Sequence, residues 1–517
     1  MKLKRQSLIS QGSLSRRYQT ATEAWQRRNF EQAIEILERV SQLDPANAFL
    51  LLNLGHWYGM RYDYAAAERC FEKAARIAPN KTETLAMAGM HCGDFGNYAM
   101  AERFFLRAVE QANAVPKMFA QLATVYERQR RLDEAAGMVE RALRLNGATA
   151  PALLVKARLE RQAGRIEAAE QTIRSVVTKP NSDGWIYAQA WYELGLILDR
   201  QGKYDEAMAA FVPAKTLLNS QAGRFVSELK VVRQRIQNMR ENLNVETLQC
   251  WFDTLPSLTP LRRVALLGGH PRSGTTLLEQ VLDSHPDITS VEETEIFHDD
   301  AYMPLANRMP EGTPILSFLE PAPVDALQRS RANYFRSAEL FLGQPIGDRL
   351  LIDKNPSLTF LIPPLLRIFP EIKLLIALRD PRDVVLSCFM QPIRLSQGSS
   401  AYLTLGRTVD EYASMMSLWQ TLRPMLEGRY LEVRYEEMVN DLEPVARRTL
   451  DFLGVPWDAR VLGFDKHARQ KVVRSPTFAD VTQPVYKRAV GRWRNYQKFL
   501  EPHLEKLEPF VKAWGYE

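Results

Sequence analysis

Cysteine is scarce in this chain: four in 517 residues, Cys70, Cys92, Cys250 and Cys388, far apart and never in CxxC spacing. That argues against a disulfide framework and a thiolate zinc site, and it favours a reducing compartment. The seven histidines form no HExxH motif and no cluster with cysteine along the sequence, so no metal is expected. No apolar run is long enough to span a bilayer, and the basic N-terminus MKLKRQSLISQGSLSRR lacks the apolar stretch of a secretory signal. The expectation is a cytoplasmic protein with no membrane partner, whose residues 1–13 form a disordered tail. Charge of one sign is also lacking: 67 Lys and Arg against 61 Asp and Glu leave +6. That suits an anionic ligand in a local pocket and makes no case for nucleic acid.

What is present is long and periodic. A chain of 517 residues, 46% hydrophobic and 25% charged, is ordinary for globular protein but too long for one core, so two or three units are expected. Residues 14–221 repeat with a period of 34. Leu54-Gly55, Ala88-Gly89, Leu122-Ala123 and Lys156-Ala157 are spaced by 34, and Leu194-Gly195 follows after 38. A second register runs Ala33, Ala67, Ala101, Ala135, Ala169 and Ala207, with Leu37, Phe71, Phe105, Val139, Ile173 and Phe211 four residues on. Small residues let the two helices of a hairpin approach, while the large apolar residue fills the space behind them. One such hairpin cannot bury its own apolar face, so neighbours stack. The pattern resembles about six tetratricopeptide repeats, which implies an all-α superhelix. Such an array either binds a peptide or protein partner on its concave face or only supports or dimerises the C-terminal domain.

Residues 222–261 keep helical periodicity and many charges, which predicts a helical connector, and LPSLTPLRR marks a boundary ahead of a domain at 262–517. There the pattern changes. The apolar run Val264–Leu267 predicts a buried strand, Gly268–Thr276 (GGHPRSGTT) a Gly-rich loop, and LLEQVLDSHP a helix. Strand, loop and helix N-terminus together present backbone N–H groups to an anion. Gly269 and Gly274 have the spacing of a nucleoside-triphosphate loop, but Thr275 stands where that loop carries its lysine. Positive charge comes instead from Arg272, which suits a donor carrying less charge than a triphosphate and needing no metal.

Three further segments bear chemistry. Glu292-Glu293-Thr294 is either a solvated carboxylate pair or, at a strand end beside the loop, the source of a general base. Lys354 closes the probable strand of LLIDKNP, either facing solvent or placed to stabilise charge in group transfer. The strand Lys373–Leu378 is followed by RDPRD and a helix, with Arg379 and Ser387 at one edge of the sheet. Strands near 264–268, 350–353, 373–378 and 430–434, alternating with helices, predict an α/β domain with a mainly parallel sheet.

Over residues 262–500 these segments resemble the sulfotransferases, and in particular the protein-tyrosine sulfotransferase family. PRSGTTLLEQVLDSHPDI resembles its 5′-phosphosulfate loop and RDPRDVVLS its 3′-phosphate motif, with EET and DKNP in the family's order. The resemblance implies transfer of a sulfuryl group from 3′-phosphoadenosine 5′-phosphosulfate, without metal, to a hydroxyl acceptor such as a peptide tyrosine. It implies that Arg272, Ser273, Gly274, Thr275 and Thr276 hold the 5′-phosphosulfate. It assigns Glu293 as base, Lys354 and Arg272 to the leaving oxygen, Arg379 and Ser387 to the 3′-phosphate, and Tyr435 to the nucleotide. The sequence departs from the family's pattern at Gln391 and Gln483, where the family has Arg and Lys. Arg394, Arg474, Lys487 and Arg488 are the basic residues nearby. Two other readings of the chain stand beside this one: a P-loop nucleotide kinase fused to repeats, and a catalytically inactive repeat scaffold.

Overall fold

The computed structural model describes residues 2–179, 183–307, 309–310, 312–470 and 485–516. It divides into two compact units, Met1–Arg165 and Ile166–Glu517. The first helix spans Lys2–Gln26 and so begins inside the stretch expected to be a tail.

The first unit is helical throughout. Its hairpins are exemplified by α1 (Ala48–Met60) with α2 (Tyr64–Ile77), and α3 (Lys81–Asp94) with α4 (Tyr98–Val109). Asparagine and aspartate start these helices because their side chains satisfy orphan N–H groups. Asn47 accepts from Phe49 and Leu50, Asp63 from Ala66, Asn80 from Glu83 and Asn97 from Met100. The repeat alanines Ala33, Ala67, Ala101 and Ala135 are fully buried. The small-against-large logic is literal: a Cβ on Gly55 would lie 2.5 Å from the Phe71 ring, and one on Gly89 2.9 Å from Phe105.

The second unit opens with the last repeat helices, Ile166–Val177, α5 (Gly184–Arg200) and α6 (Tyr204–Asn219). The same rule holds, since a Cβ on Gly195 would meet Phe211 at 2.5 Å. The sequence signature of repeats therefore runs past Arg165, where the compact units divide, and the expected boundary near residue 221 does not coincide with that division. Helices Gly223–Asn242 and Val245–Asp253 fill the connector.

A five-stranded, all-parallel sheet comes next, in the order β2-β3-β1-β4-β5. The strands are β1 (Val264–Gly269), β2 (Ile288–Glu292), β3 (Leu350–Lys354), β4 (Lys373–Leu378) and β5 (Tyr430–Arg434). The four expected strands are present, and β2 is an addition to them. Central β1 is buried along its whole length, which is why it reads as an unbroken apolar run. Helices α7 (Thr275–Asp283), α8 (Pro381–Phe389) and α9 (Tyr435–Asn440) leave the carboxyl ends of β1, β4 and β5. No helix among the described residues is long and apolar enough to cross a membrane.

Candidate active site

Parallel topology puts the carboxyl ends of all five strands on one edge, where ligands bind in open α/β sheets. Each motif singled out in the sequence sits there. Gly268–Thr276 leaves β1, Glu292-Glu293 ends β2, Lys354 ends β3, Arg379 follows β4 and Tyr435 follows β5. Register brings the neighbours level: Lys354 lies opposite both Leu267 of β1 and Glu292 of β2.

The loop after β1 is shaped by backbone constraints. Gly269 has φ +113, and a Cβ there would fall 2.3 Å from the Ala377 carbonyl oxygen of β4, so no other residue fits. Thr359 fastens the turn, its hydroxyl accepting from the Gly269 N–H and donating to the Gly269 carbonyl, each at 2.8 Å. Arg272 and Gly274 also have positive φ, +74 and +95. Gly274, which has no side chain to cap with, stands at the N-terminus of α7. Ser273, Thr275 and Thr276 are buried around it. A loop of this shape at a helix N-terminus presents N–H groups and a helix dipole that can receive an anion.

Around it the structure joins Arg272, Ser387, Arg379 and Tyr435. Arg272 Nε donates to Ser387 Oγ at 3.1 Å, and Arg379 Nη1 donates to the Arg272 carbonyl at 3.1 Å. The Arg379 guanidinium lies 4.9 Å above the Tyr435 ring, and a Cβ on Gly274 would touch that same ring at 2.7 Å. Arg379 is 7% exposed, and its Nε is buried with no hydrogen-bond partner among the described residues. A buried cationic donor with no partner among the described residues, beside a helix N-terminus, fits an anionic ligand.

The second group is an ion-paired trio. Lys354 Nζ is wholly buried, 2.8 Å from Glu293 Oε1 and 3.2 Å from Glu292 Oε1. Burial presses its pKa down, but the carboxylates of Glu293, Glu292 and Glu279 outweigh burial and hold it above the ordinary value. Lys354 therefore stays charged. The two glutamates differ in access: the Glu292 side chain is 2% exposed and that of Glu293 37%. Glu293 takes φ +48, and its N–H donates to the Lys354 carbonyl at 2.7 Å. Of the pair, only Glu293 is open to solvent.

Sequence reasoning missed the support. His270 is fully buried, kept neutral by burial that pushes its pKa down to about 4, and its Nδ1 is 3.8 Å from Cys388 Sγ. Asp383 accepts the N–H groups of Gly491 and Trp493 at 2.7 and 2.8 Å, and the Ala489 carbonyl accepts from Arg379 Nη2 at 2.5 Å. These contacts span about a hundred residues and leave no local signal. At the first family departure, the Gln391 carbonyl accepts from Lys215 Nζ at 3.3 Å. Lys487 donates to Asn440, and Arg488 stacks on Tyr486. Gln483 and Arg474 lie outside the described residues.

The fold also makes two histidine–carboxylate groupings that the sequence hid: His56, His91 and Asp94 in the first unit, and Glu295, His298 and Asp299 in the second. The His56 and His91 rings stack face to face with centroids 4.4 Å apart.

Both halves of the chain are similar to known proteins. A profile of the sulfotransferase family matches residues 265–459, and tetratricopeptide-repeat profiles match residues 50–78, 121–184 and 188–214. An uncharacterised protein of Aquifex aeolicus is 26% identical over 355 residues, covering 66% of this chain and 44% of that protein. Protein-tyrosine sulfotransferase A of Caenorhabditis elegans is 25% identical over 269 residues, 48% of this chain and 66% of that protein. Protein-tyrosine sulfotransferase 1 of Danio rerio is 26% identical over 271 residues, 48% and 71% of the two chains. The chain thus spans less than two thirds of the first two of these relatives. Among solved structures, the sulfotransferase domain of the Synechococcus PCC 7002 olefin synthase aligns over 50% of this chain and 96% of its own, at 22% identity and TM-score 0.36.

Proposed function

From a chain that carries a sulfotransferase-family domain behind tetratricopeptide repeats, we propose an enzyme that moves a sulfuryl group from 3′-phosphoadenosine 5′-phosphosulfate to a hydroxyl. The observation that carries this is the pairing of exposed Glu293 with buried, charged Lys354 on the strand edge that also holds the Arg272 loop. When bound, the donor brings the activated sulfuryl group and a 3′-phosphate.

The chain's own residues do the rest. Backbone N–H groups of Ser273–Thr276 and the Arg272 side chain bind the 5′ side, and the orphaned Arg379 Nε with Ser387 binds the 3′ side. Glu293 takes the proton of the acceptor hydroxyl as its oxygen bonds to sulfur. Lys354 and Arg272 stabilise the negative charge left on the oxygen whose bond to sulfur breaks. Positioning and charge do the work, as in phosphoryl transfer. Thr275, standing where a triphosphate loop has lysine, disfavours a nucleotide kinase.

The acceptor class this reading favours is a tyrosine in a peptide, supported by the names of the metazoan relatives. The repeats would hold such a peptide or its carrier protein. The four free cysteines suit the cytoplasm. Incubating the protein with radiolabelled donor and either a tyrosine peptide or an oligosaccharide tests both levels. Label in the peptide supports the full reading, label in the oligosaccharide alone moves the acceptor class, and label in neither counts against the activity.

A further inference from the structure

The last repeat hairpin reaches the donor side of the site, and that contact has a specific construction. Asp199 of α5 accepts from the Tyr496 hydroxyl at 2.7 Å and pairs with Arg492 at 2.8 Å. Tyr496 is fully buried and the Arg492 side chain is 24% exposed. The turn that carries Arg492 is held from its other side by Asp383 of α8, through the Gly491 and Trp493 N–H groups. Just before it, the Ala489 carbonyl receives Arg379 Nη2, and Asp383 lies 3.7 Å from the same guanidinium. A short run of bonds therefore leads from Asp199 to Arg379.

A second arm comes from α6. Lys215 is 3% exposed, a rare state for lysine. Its Nζ lies over the rings of Tyr192 and Phe389, at 5.0 and 5.2 Å, and donates to the Gln391 carbonyl just past the carboxyl end of α8. A cation at a helix carboxyl end is favoured by the helix dipole. Helix α8 is the one whose Ser387 accepts from Arg272.

We propose that Asp199 and Lys215, which belong to the repeats by sequence, are positioning residues for the donor pocket. They fix the 489–496 segment and the carboxyl end of α8, so that Arg379 and Ser387 are held ready for the 3′-phosphate. The inference rests on the donor reading above and extends it to the repeat hairpin. Burial lowers the pKa of Lys215 to about 7. Cys388 and Tyr192, which lie beside it, stay uncharged there. Burial holds Cys388 up at about 12 and Tyr192 and Tyr402 well above their ordinary values. If protonated Lys215 anchors α8, donor affinity falls as pH rises through 7.

The test uses the full chain as wild type, Asp199→Asn, Lys215→Met and Tyr496→Phe, the last keeping the ring and removing its hydroxyl's bonds to Asp199 and Arg492. Donor KM, kcat and calorimetric affinity for 3′-phosphoadenosine 5′-phosphate are measured from pH 6 to 8.5, with hydrogen exchange of residues 381–391 and 485–496. The expected result is a donor KM and nucleotide Kd raised about tenfold, an effect of ordinary coupling size, with kcat and acceptor KM little changed. Exchange in both segments should rise, and the pH dependence near 7 should vanish in Lys215→Met alone. Unchanged exchange and donor KM in all three variants would overturn the inference. Wild type that binds no nucleotide would refute the donor reading, and hydrogen exchange would still decide whether the hairpin holds these segments.

Discussion

Lys354 is a buried cation between two carboxylates, and its removal exposes what each partner does. With the lysine gone, Glu292, whose side chain is 2% exposed, loses its ion pair with Lys354. Breaking a buried pair from one side costs about 3–5 kcal/mol. Lys354→Met should therefore lower unfolding free energy by about that amount, and Glu292→Gln added to it should restore part of the loss; denaturant titration reads both. Glu293 is different in kind, being accessible. Glu293→Gln is expected to keep nucleotide affinity while kcat falls by about 10²–10³, the usual cost of a lost active-site group. Full turnover in a folded Glu293→Gln protein would remove it from the role of base. Asp353, next in the chain to Lys354, is fully buried, accepts from the Tyr334 hydroxyl and has no partner for Oδ1 among the described residues. Burial raises its pKa to about 7 from 3.8. Between those values the folded state holds the proton more tightly than the unfolded chain, so the contribution of Asp353 to stability is full below about pH 4 and is lost as pH rises through 7. Wild-type stability relative to Asp353→Asn should accordingly decline between pH 4 and 7.5, and a rise would contradict the assigned burial.

At the scale of elements, the repeats and the loop are built on glycines that meet rings or backbone. Gly55→Ala drives a methyl into Phe71 and should cost about 1–3 kcal/mol by overpacking. Phe71→Ala opens a cavity and should cost about 3–5 kcal/mol. Thermal melts of the two variants test whether the hairpins pack as described. This part of the fold was legible because the repeat signal is local: alanine and a large apolar residue four apart recur hairpin after hairpin, and all land in the core. β1, β3 and β4 were legible for a similar reason, as apolar runs ahead of a Gly-rich loop, a lysine and an arginine, and β5, YLEVR, through its alternation ahead of Tyr435. β2 was not, because Ile288–Glu292 mixes Thr, Ser and Glu into a buried strand. Its buried carboxylate is satisfied by a neighbour distant in sequence, Glu292 accepting from Lys354 Nζ. The motifs that bear chemistry could be read, whereas the groups that hold them could not. Thr359 is 90 residues from Gly269 and Lys215 is 176 from Gln391, separations at which no spacing rule operates.

For the whole molecule, the signature of repeats and the division into compact units part company. Helices α5 and α6 look like more repeat in the sequence, yet they belong to the unit that begins at Ile166. A fragment of residues 166–517 should melt cooperatively. One of residues 222–517 strips Asp199 and Lys215 from Arg492, Tyr496 and α8, and should melt lower or aggregate. Equal melting of the two fragments would mean that the hairpin adds nothing to the second unit.

The central claim is that the strand edge binds the 3′-phosphorylated donor nucleotide. Metal-free calorimetry with 3′-phosphoadenosine 5′-phosphate tests it most directly, with ATP and 5′-AMP alongside and Arg379→Ala as the variant. Selective binding of the 3′-phosphorylated nucleotide, strongly weakened in Arg379→Ala, is the expected result; preference for ATP with Mg²⁺, or binding indifferent to Arg379, would contradict it.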